Sequence, residues 1–322
     1  MPIRSAAIIG AGLAGLACAK TLAAHGVAAR LFDKGRAPGG RLATRRAEAE
    51  GRSFTFDHGA QYLTARGPLF RATLDALDAQ PWLGGEMRVG MPRMSALPRA
   101  LAEGLDVTLG REVVEIAGEP GAWMLRHAAP RRPGGPPAEG LGESGPFEAV
   151  LVTAPSPQAA ALLARPAPTL AQVVELVEMA PCWTLMAAFP RRLDLPDQIR
   201  PEAGEIASAV RDSSKPGRDA GSECWVVQAG PAWTREHLEQ AEPVVREALL
   251  AAFAQLAGQT LPAPNFAAAH RWRFALVEKP LGAPCLWDPA LGIGAAGDWC
   301  IAPRAEAAMT SGMALAAALA GG

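Results

Sequence analysis

The sequence has 322 residues, of which 49% are hydrophobic and 20% are charged, and its formal net charge is -1. This length exceeds what one hydrophobic core usually holds and predicts two domains. The near-neutral charge, without blocks of like charge, argues against nucleic-acid binding. The five cysteines include no C-x-x-C pair, which argues against a zinc site or a disulfide framework and favours a reducing, cytoplasmic location.

The N-terminal residues predict a βαβ unit. An apolar run at residues 6–9 precedes a glycine-rich turn, residues 13–25 have helical spacing, and residues 28–32 form a second apolar run that ends at Asp33. The turn, residues 10–15, reads Gly-Ala-Gly-Leu-Ala-Gly and matches G-x-G-x-x-G between a strand and a helix.

This glycine pattern predicts dinucleotide binding. Gly10 permits the tight turn, Gly12 lets the backbone approach a pyrophosphate, and Gly15 lets the helix pack closely on the strand. Asp33 is expected to accept hydrogen bonds from a ribose.

The rest of the chain alternates between strand and helix patterns. Further strands are predicted by apolar runs at residues 104–116, 122–126, 147–152, 172–189, 224–229 and 291–296. The stretch 130–146 is rich in Pro and Gly and predicts a solvated hairpin loop. Residues 234–256 have helical spacing, and a C-terminal helix is predicted from about Glu306. The apolar run 307–320 is too short to span a membrane.

A second glycine motif indicates which dinucleotide is bound. Residues 39–44 read Gly-Gly-Arg-Leu-Ala-Thr, and this element resembles the extension found in flavin enzymes of the glutathione-reductase superfamily, amine oxidases among them. Arg41 can place a fork of donors on the pyrophosphate. The resemblance implies non-covalent FAD and disfavours a plain NAD dehydrogenase.

Residues 57–62, Asp-His-Gly-Ala-Gln-Tyr, carry a closer resemblance. They are similar to the Asp-x-Gly-Ala-Gln-Tyr stretch of the renalases and their bacterial relatives, where it forms backbone near the flavin ring. The resemblance continues in order at residues 90–97, 214–218, 225–228, 270–275 and 297–299. His58 alone could be a catalytic base or a structural histidine.

The resemblance implies an α/β fold with a Rossmann-type FAD-binding domain, like that of glutathione reductase and p-hydroxybenzoate hydroxylase, and an inserted sheet-based substrate domain. The expected FAD domain comprises residues 1–65, 98–165 and 283–322, and the substrate domain residues 66–97 and 166–282. The residues expected to bind FAD are Gly10, Gly12, Leu13, Ala14, Gly15, Asp33, Lys34, Gly40, Arg41, Thr44, Asp57, His58, Gly59, Ala60, Gln61, Val114 (or its neighbour Val113), Gly297, Asp298, Met309 and Thr310.

The resemblance also implies a reaction. Renalases oxidise isomers of NAD(P)H whose hydride sits at the wrong ring carbon, and hydride loss gives an aromatic pyridinium, so no protein base is required. O2 would then accept the electrons and form H2O2. The residues expected around this small-molecule substrate are Met94, Ser95, Thr184, Arg271, Trp272 and Arg273, with the arginines meeting substrate phosphates. Alternatively, residues 271–273 are a strand with one buried tryptophan and two solvated arginines.

Two other functions stay open at this point. One is an FAD-dependent amine oxidase or desaturase. Amine oxidases of this superfamily commonly line the approach to the flavin with tyrosines, and this chain has only Tyr62. The other is a nucleotide-binding or redox-sensing protein without turnover.

Overall fold

The computed structural model describes residues 3–130 and 140–321, and it contains helices and strands throughout that range. The helices are α1 (Leu13–Ala24), α2 (Pro68–Ala76), α3 (Ala96–Ala102), α4 (Ser156–Leu163), α5 (Pro168–Val174), α6 (Pro231–Glu236), α7 (Glu242–Ala257), α8 (Asp298–Ile301) and α9 (Ala305–Ala320). Within the described ranges, no helix is long and apolar enough to cross a membrane.

The strands are β1 (Ser5–Ile9), β2 (Ala28–Asp33), β3 (Arg45–Ala49), β4 (Arg52–Phe56), β5 (Leu63–Thr64), β6 (Gln80–Trp82), β7 (Met87–Val89), β8 (Asp106–Leu109), β9 (Glu112–Glu119), β10 (Ala122–Ala128), β11 (Gly142–Phe147), β12 (Ala149–Val152), β13 (Glu178–Phe189), β14 (Gln198–Ile199), β15 (Ile206–Arg211), β16 (Glu223–Ala229), β17 (Phe266–Lys279), β18 (Leu286–Asp288) and β19 (Ile293–Ala295).

The chain divides into two compact units. The first unit comprises Met1–Gly40, Pro98–Met179 and Val277–Gly322, and the second comprises Arg41–Leu97 and Ala180–Leu276. Residues 41–65, which the resemblance placed in the FAD domain, fall in the second unit.

The first unit is built on a six-stranded sheet in the order β18-β19-β12-β1-β2-β8. Its central strands are parallel, and β18 is antiparallel to β19. Because side chains alternate across a strand, Ala6 and Ile8 pack with α1 and α9, whereas Ala7 and Ile9 pack with α4, α5 and the three-stranded sheet β9–β11. This architecture confirms the predicted α/β class with a Rossmann-type unit.

The second unit is built on an antiparallel sheet in the order β14-β15-β16-β13-β17. One face carries Trp225 and Val227 and is covered by α7 through Val245, Leu249 and Phe253. The opposite face, called face A here, carries alternate residues of the same strands. At one end of face A, apolar side chains pack against the β3–β4 hairpin; they are Met186, Ala188, Cys224 and Val226, under Phe54 and Phe56.

Three sequence predictions about elements differ from the structure. Residues 172–174 belong to helix α5, because Pro168 fits a first helical turn and Ala171 and Val174 share a buried face. The predicted helix 234–256 is two helices, and Pro243 lies in the first turn of the second. Strand pairing resumes at Gly142 rather than residue 147. Of the predicted loop, residues 131–139 lie outside the described residues.

Candidate functional site

The glycine turn of the first unit has the shape that a pyrophosphate site requires. Gly10 has φ +111°, a conformation that side chains disfavour. A Cβ on Gly12 would have no heavy atom within 4 Å, whereas a Cβ on Gly15 would overlap the Gly10 carbonyl oxygen. Gly12 is the N-cap of α1 and places no side chain over the first amides of the helix. Leu13 and Ala14 begin this helix. The turn therefore leaves free backbone and a helix N-terminus for an anion.

Asp33 lies beside this turn, at the end of β2. One carboxylate oxygen accepts a hydrogen bond from the Ala11 amide at 2.6 Å, and the other accepts one from the Gly35 amide at 2.6 Å. The neighbouring Lys34 is exposed and pairs with Glu112 at 3.4 Å, so its ammonium is directed to a carboxylate of β9. Asp33 thus stabilises the glycine turn by a hydrogen bond, whereas the Lys34 side chain points to β9 and away from that turn.

Gly40 also lies at the glycine turn. It has φ +52°, and a Cβ placed on it would lie 3.7 Å from the Gly12 Cα. The Gly39 amide donates to the Ala11 carbonyl at 2.8 Å. The second glycine motif therefore packs its backbone on the first, as an extended dinucleotide site requires.

The C-terminal segment of the first unit packs on α1. A Cβ on Gly312 of α9 would overlap the carbonyl oxygen of Ala14, so the two helices touch at their backbones. The Gly297 amide donates to Ser311 Oγ at 3.0 Å, and Asp298 is buried. Helix α9 thus links the turn at Gly297 and Asp298 to the glycine turn that precedes α1.

Two expected FAD contacts near this segment differ in exposure. Met309 is buried within α9, whereas Thr310 is exposed. On β9, Val113 is buried in the core and Val114 is half exposed. Of the two valines, Val114 is the one whose side chain is exposed to solvent.

In the second unit, Asp57 is the centre of a buried charge network. Oδ1 accepts from Thr44 Oγ1 at 2.7 Å and from the Met94 amide at 3.1 Å. Oδ2 accepts from Lys215 Nζ at 3.3 Å and from Arg218 Nη2 at 2.5 Å. All four donors belong to the protein, so the Asp57 side chain positions the segment that follows it rather than presenting a free carboxylate.

The same network also holds Gln61, four residues after Asp57. Gln61 Nε2 donates to the Asp57 carbonyl at 2.6 Å, and Lys215 Nζ lies 3.5 Å from Gln61 Oε1 and 2.5 Å from Asp212 Oδ1. Burial alone would raise the pKa of Asp57, but Lys215 and Arg218 outweigh it and lower the pKa to about 2. The carboxylate therefore stays ionised at neutral pH.

The segment His58–Tyr62, called the crossing segment here, runs over face A from β17 towards β14. Trp272 Nε1 on β17 donates to the His58 carbonyl at 2.9 Å, and Gln228 Nε2 on β16 donates to the Gly59 carbonyl at 2.9 Å. Gln198 Nε2 on β14 lies 3.4 Å from the Tyr62 hydroxyl.

Arg41 holds the crossing segment on its other side. A Cβ on Gly59 would overlap the Arg41 carbonyl, which accepts a hydrogen bond from the Ala60 amide at 2.8 Å. Arg41 Nη1 donates to the Ala275 carbonyl at 3.0 Å. The close approach explains why residue 59 is glycine.

An aromatic group formed by His58, His270 and Trp272 lies at the β17 end of the crossing segment. The His58 ring centroid is 4.9 Å from that of His270 and 5.1 Å from that of Trp272. Burial, with the nearby charge of Arg45 as a smaller cause, lowers the pKa of both histidines to about 4. Both imidazoles are therefore neutral at pH 7 and are weak bases.

Arg271 and Arg273 do not share a surface with Trp272. Both pair with Glu239, Arg271 at 2.9 Å and Arg273 at 2.6 Å. Arg271 also lies over the Trp183 ring. Because strand side chains alternate between faces, Trp272 lies on face A and the two arginines lie on the opposite face. The three residues therefore do not line one surface, contrary to the expectation. The alternative of one buried tryptophan and two solvated arginines does not describe the strand either, because Trp272 and Arg271 are half-buried.

Thr184 belongs to a polar row across face A. Thr184 of β13 is opposite Gln228 of β16, which is opposite Ser208 of β15. Thr184 and Ser208 are buried. Met94 and Ser95 are buried beside the charge network instead, where the Ser95 amide donates to Thr44 Oγ1 at 3.2 Å.

Sequence reasoning missed several residues of this site. Lys215 and Arg218 lie in a segment that carried the family resemblance, yet neither was assigned a role. Gln228 and His270 also lie in segments that carried the resemblance and were given no role. Alternation along β17 was the signal for His270, since it lies two residues from Trp272.

Comparison with protein families gives two matches. The profile of the NAD(P)-binding Rossmann-like domain matches residues 8–77. The profile of the flavin-containing amine oxidoreductases matches residues 82–276, which is more than half of the chain.

Comparison with solved structures gives the same fold. A crystal structure of a candidate protoporphyrinogen oxidase from Exiguobacterium sp. 255-15 has a TM-score of 0.75 and 13% identity over 99% of each chain. Two engineered putrescine oxidase variants have TM-scores of 0.64 and 12% identity over 98% of each chain. At these identities the similarity is one of fold, and the family match carries the assignment: this chain belongs to the flavin-containing amine oxidoreductase family and is an FAD-dependent oxidoreductase.

Proposed function

We propose that the protein oxidises isomeric dihydronicotinamide nucleotides, in the manner implied by its resemblance to renalases. The substrate ring would lie beside the aromatic group at the β17 end of face A. FAD, when bound, supplies the hydride acceptor. The overall reaction combines the dihydropyridine, O2 and one proton to give NAD(P)+ and H2O2.

The neutrality of the aromatic group on face A is the observation that carries this proposal. His58 and His270 are neutral and weakly basic at pH 7. Asp57 is fully engaged by protein donors. Loss of hydride from a dihydropyridine creates an aromatic cation and releases no proton, so neutral aromatic and amide groups suffice.

The residues of the second unit would bind and orient the substrate. Trp272 offers an indole for stacking on a planar ring. Gln228, which is partly exposed, keeps its amide oxygen for a carboxamide to donate to, and the buried Thr184 lies opposite it on β13. His58 is buried and His270 and Trp272 are partly exposed, so the aromatic group offers ring surface to a ligand at this end of face A.

The cofactor-binding residues remain part of the same proposal. In the first unit, the glycine turn and the N-terminus of α1 would hold the pyrophosphate, and Asp33 would meet the ribose. In the second unit, backbone of the crossing segment would contribute near the flavin ring, held in shape by Asp57.

Amine oxidation is the second candidate. It is favoured by the match to the flavin-containing amine oxidoreductases and by the shared fold with putrescine oxidase. A protonated amine would need a carboxylate or an electron-rich aromatic cage. Trp272, on face A, could contribute to such a cage.

An aerobic product assay tests the proposal. Purified protein is supplied with 2-, 4- or 6-dihydro isomers of NAD(P)H, and oxygen uptake, H2O2 and NAD(P)+ are measured together. We expect equal amounts of the three for the 2- or 6-isomers and little turnover of the ordinary 4-isomer. Turnover of amines, with none of any dihydropyridine, would assign the second candidate instead.

A further inference from the structure

Thr153 directly follows β12 and lies against the glycine turn of the first unit. Its amide donates to the Ile9 carbonyl at 2.8 Å, which continues the pairing of β12 with β1. Its hydroxyl oxygen lies 3.1 Å from the carbonyl oxygen of Ile9 and 3.0 Å from that of Gly10. A hydroxyl has one proton to donate, so Thr153 shares this proton between two backbone carbonyls of the turn.

The peptide group between Gly10 and Ala11 is held at both of its ends. Its carbonyl oxygen accepts from Thr153 Oγ1 at 3.0 Å, and its N–H donates to Asp33 Oδ2 at 2.6 Å. Because a peptide group is planar, with its C=O and N–H directed to opposite sides, one hydrogen bond at each end fixes the rotation of the whole group. The two side chains come from the ends of β12 and β2, the strands on either side of β1.

The Thr153 hydroxyl also packs against the two glycines of the turn that lack space for a side chain. A Cβ on Gly10 would lie 3.0 Å from Thr153 Oγ1, and a Cβ on Gly15 would lie 2.7 Å from it. The same Cβ on Gly15 would lie 2.0 Å from the Gly10 carbonyl oxygen. The Gly10 carbonyl is therefore enclosed between α1 and the Thr153 hydroxyl.

The orientation of this peptide group affects the backbone that follows it. Gly12 and the N-terminus of α1 come next in the chain and form the anion site described above. Glycine has more accessible conformations than other residues, so a turn without these two hydrogen bonds can leave the binding conformation. A ligand then binds with an apparent Kd that rises as the fraction of molecules in the competent conformation falls.

We propose that the Thr153 hydroxyl is a positioning group for the FAD site. Together with Asp33, it holds the peptide group between Gly10 and Ala11 in the conformation that accepts the pyrophosphate. The G-x-G-x-x-G pattern does not indicate Thr153, which lies 143 residues after Gly10. This role depends on FAD binding and not on the identity of the hydride donor, so it can fail while the proposed function stands.

The test measures the Kd of FAD for the full chain after removal of the flavin, by titration of FAD fluorescence. Thr153→Val keeps the shape of the side chain and removes the hydroxyl, whereas Thr153→Ser keeps the hydroxyl. Thr21→Val is the matched control, because Thr21, in the last turn of α1, is also half-buried and donates its hydroxyl to the Ala17 carbonyl at 2.9 Å. Urea unfolding of each apoprotein is measured in parallel.

For Thr153→Val we expect the Kd of FAD to rise about 3- to 10-fold, because the loss of one hydrogen bond shifts a conformational equilibrium by about that factor. Thr153→Ser should bind FAD as wild type does. Thr21→Val should lose a similar amount of stability in urea and keep the wild-type Kd. Should Thr153→Val not fold, Thr153→Ala and Thr153→Ser give the same comparison, since they differ only in the hydroxyl.

Three results would overturn the proposal. In the first, removal of the Thr153 hydroxyl leaves the Kd of FAD unchanged. In the second, Thr153→Ser binds FAD as weakly as Thr153→Val, which would assign the effect to the methyl group. In the third, Thr21→Val weakens FAD binding as much as Thr153→Val does, as a general loss of stability would.

Discussion

Asp57 accepts hydrogen bonds from four protein donors, two of them cationic, and its side chain is fully buried. Burying the side chains of Asp57, Asp212, Lys215 and Arg218 together is costly unless each charge has a partner of opposite sign. The matched arrangement here fixes both ends of the crossing segment. We infer that its contribution to function is the position of that backbone.

Asp57→Asn should therefore destabilise the protein strongly. Removing the carboxylate leaves Lys215 and Arg218 buried with too little negative charge, which costs about 3–5 kcal/mol of unfolding free energy. Urea unfolding followed by circular dichroism measures the change. Asp75→Asn is the control, because Asp75 forms an exposed pair with Arg88 and should change stability by less than about 1 kcal/mol.

The same carboxylate predicts a pH dependence. The pKa of Asp57 in the folded protein is lowered to about 2, below the value of about 3.9 in an unfolded chain. Its stabilising effect is thus complete above pH 4 and is lost as the pH falls towards 2. The wild type should lose more stability than the Asn variant over this range, and parallel curves for the two proteins would contradict the assignment.

For individual residues, the sequence predicted the roles that depend on spacing within a short stretch of chain. The roles of Gly10, Gly12 and Gly15 follow from a six-residue pattern. The donors to Asp57 could not be predicted, because Lys215 and Arg218 lie 158 and 161 residues further along the chain. The same holds for Glu239, which pairs with Arg271 and Arg273 and precedes them by 32 and 34 residues.

The glycine turn and α1 form an element with two separable requirements. Gly12 faces open space, and its φ of −74° suits alanine. Gly15 instead packs against the Gly10 carbonyl. The first glycine serves ligand access and the second serves the fold.

Two alanine variants test this separation. Gly12→Ala should leave the stability of the apoprotein within about 0.5 kcal/mol of wild type, but its methyl group should weaken FAD binding at least about tenfold. Gly15→Ala should cost about 1–3 kcal/mol of stability through overpacking. Unfolding curves of the apoproteins and titrations of FAD fluorescence measure the two effects. Unchanged FAD affinity in Gly12→Ala would contradict the proposed pyrophosphate site.

Element types followed from apolar periodicity where one face is buried. The βαβ unit was predicted to within a residue or so of α1 and β2. Short helices such as α5 were missed, since the apolar residues of one and a half turns fit a strand equally well. The alternation of β17 assigns Trp272 and Arg271 to opposite faces, and a sequence pattern alone does not say which neighbour each face meets.

For the whole molecule, the family assignment predicts that FAD stabilises the fold. A ligand that binds only the native state raises the unfolding free energy by about 2.7 kcal/mol at a concentration 100 times its Kd. Thermal unfolding of the apoprotein with added FAD measures this effect. Riboflavin, which lacks the pyrophosphate, should give little stabilisation. Equal stabilisation by both would mean that the glycine turn does not hold the pyrophosphate.

The architecture of the whole chain was predictable because its motifs occur in a fixed order along the sequence. Renalase-like specificity is a narrower claim, because it depends on side chains gathered on face A from separate strands. The division of the chain illustrates the limit: residues 41–65 carry motifs with a cofactor signature but pack with the second unit.

Anaerobic stopped-flow spectroscopy tests the central claim most directly. The FAD-loaded protein is mixed with 2-, 4- or 6-dihydro isomers of NAD(P)H and with a panel of amines, and absorbance is followed at about 450 nm, where oxidised flavin absorbs. We predict rapid bleaching by the 2- or 6-isomer, with slow or no bleaching by the 4-isomer and the amines. A flavin that stays oxidised with every dihydropyridine would contradict the proposal.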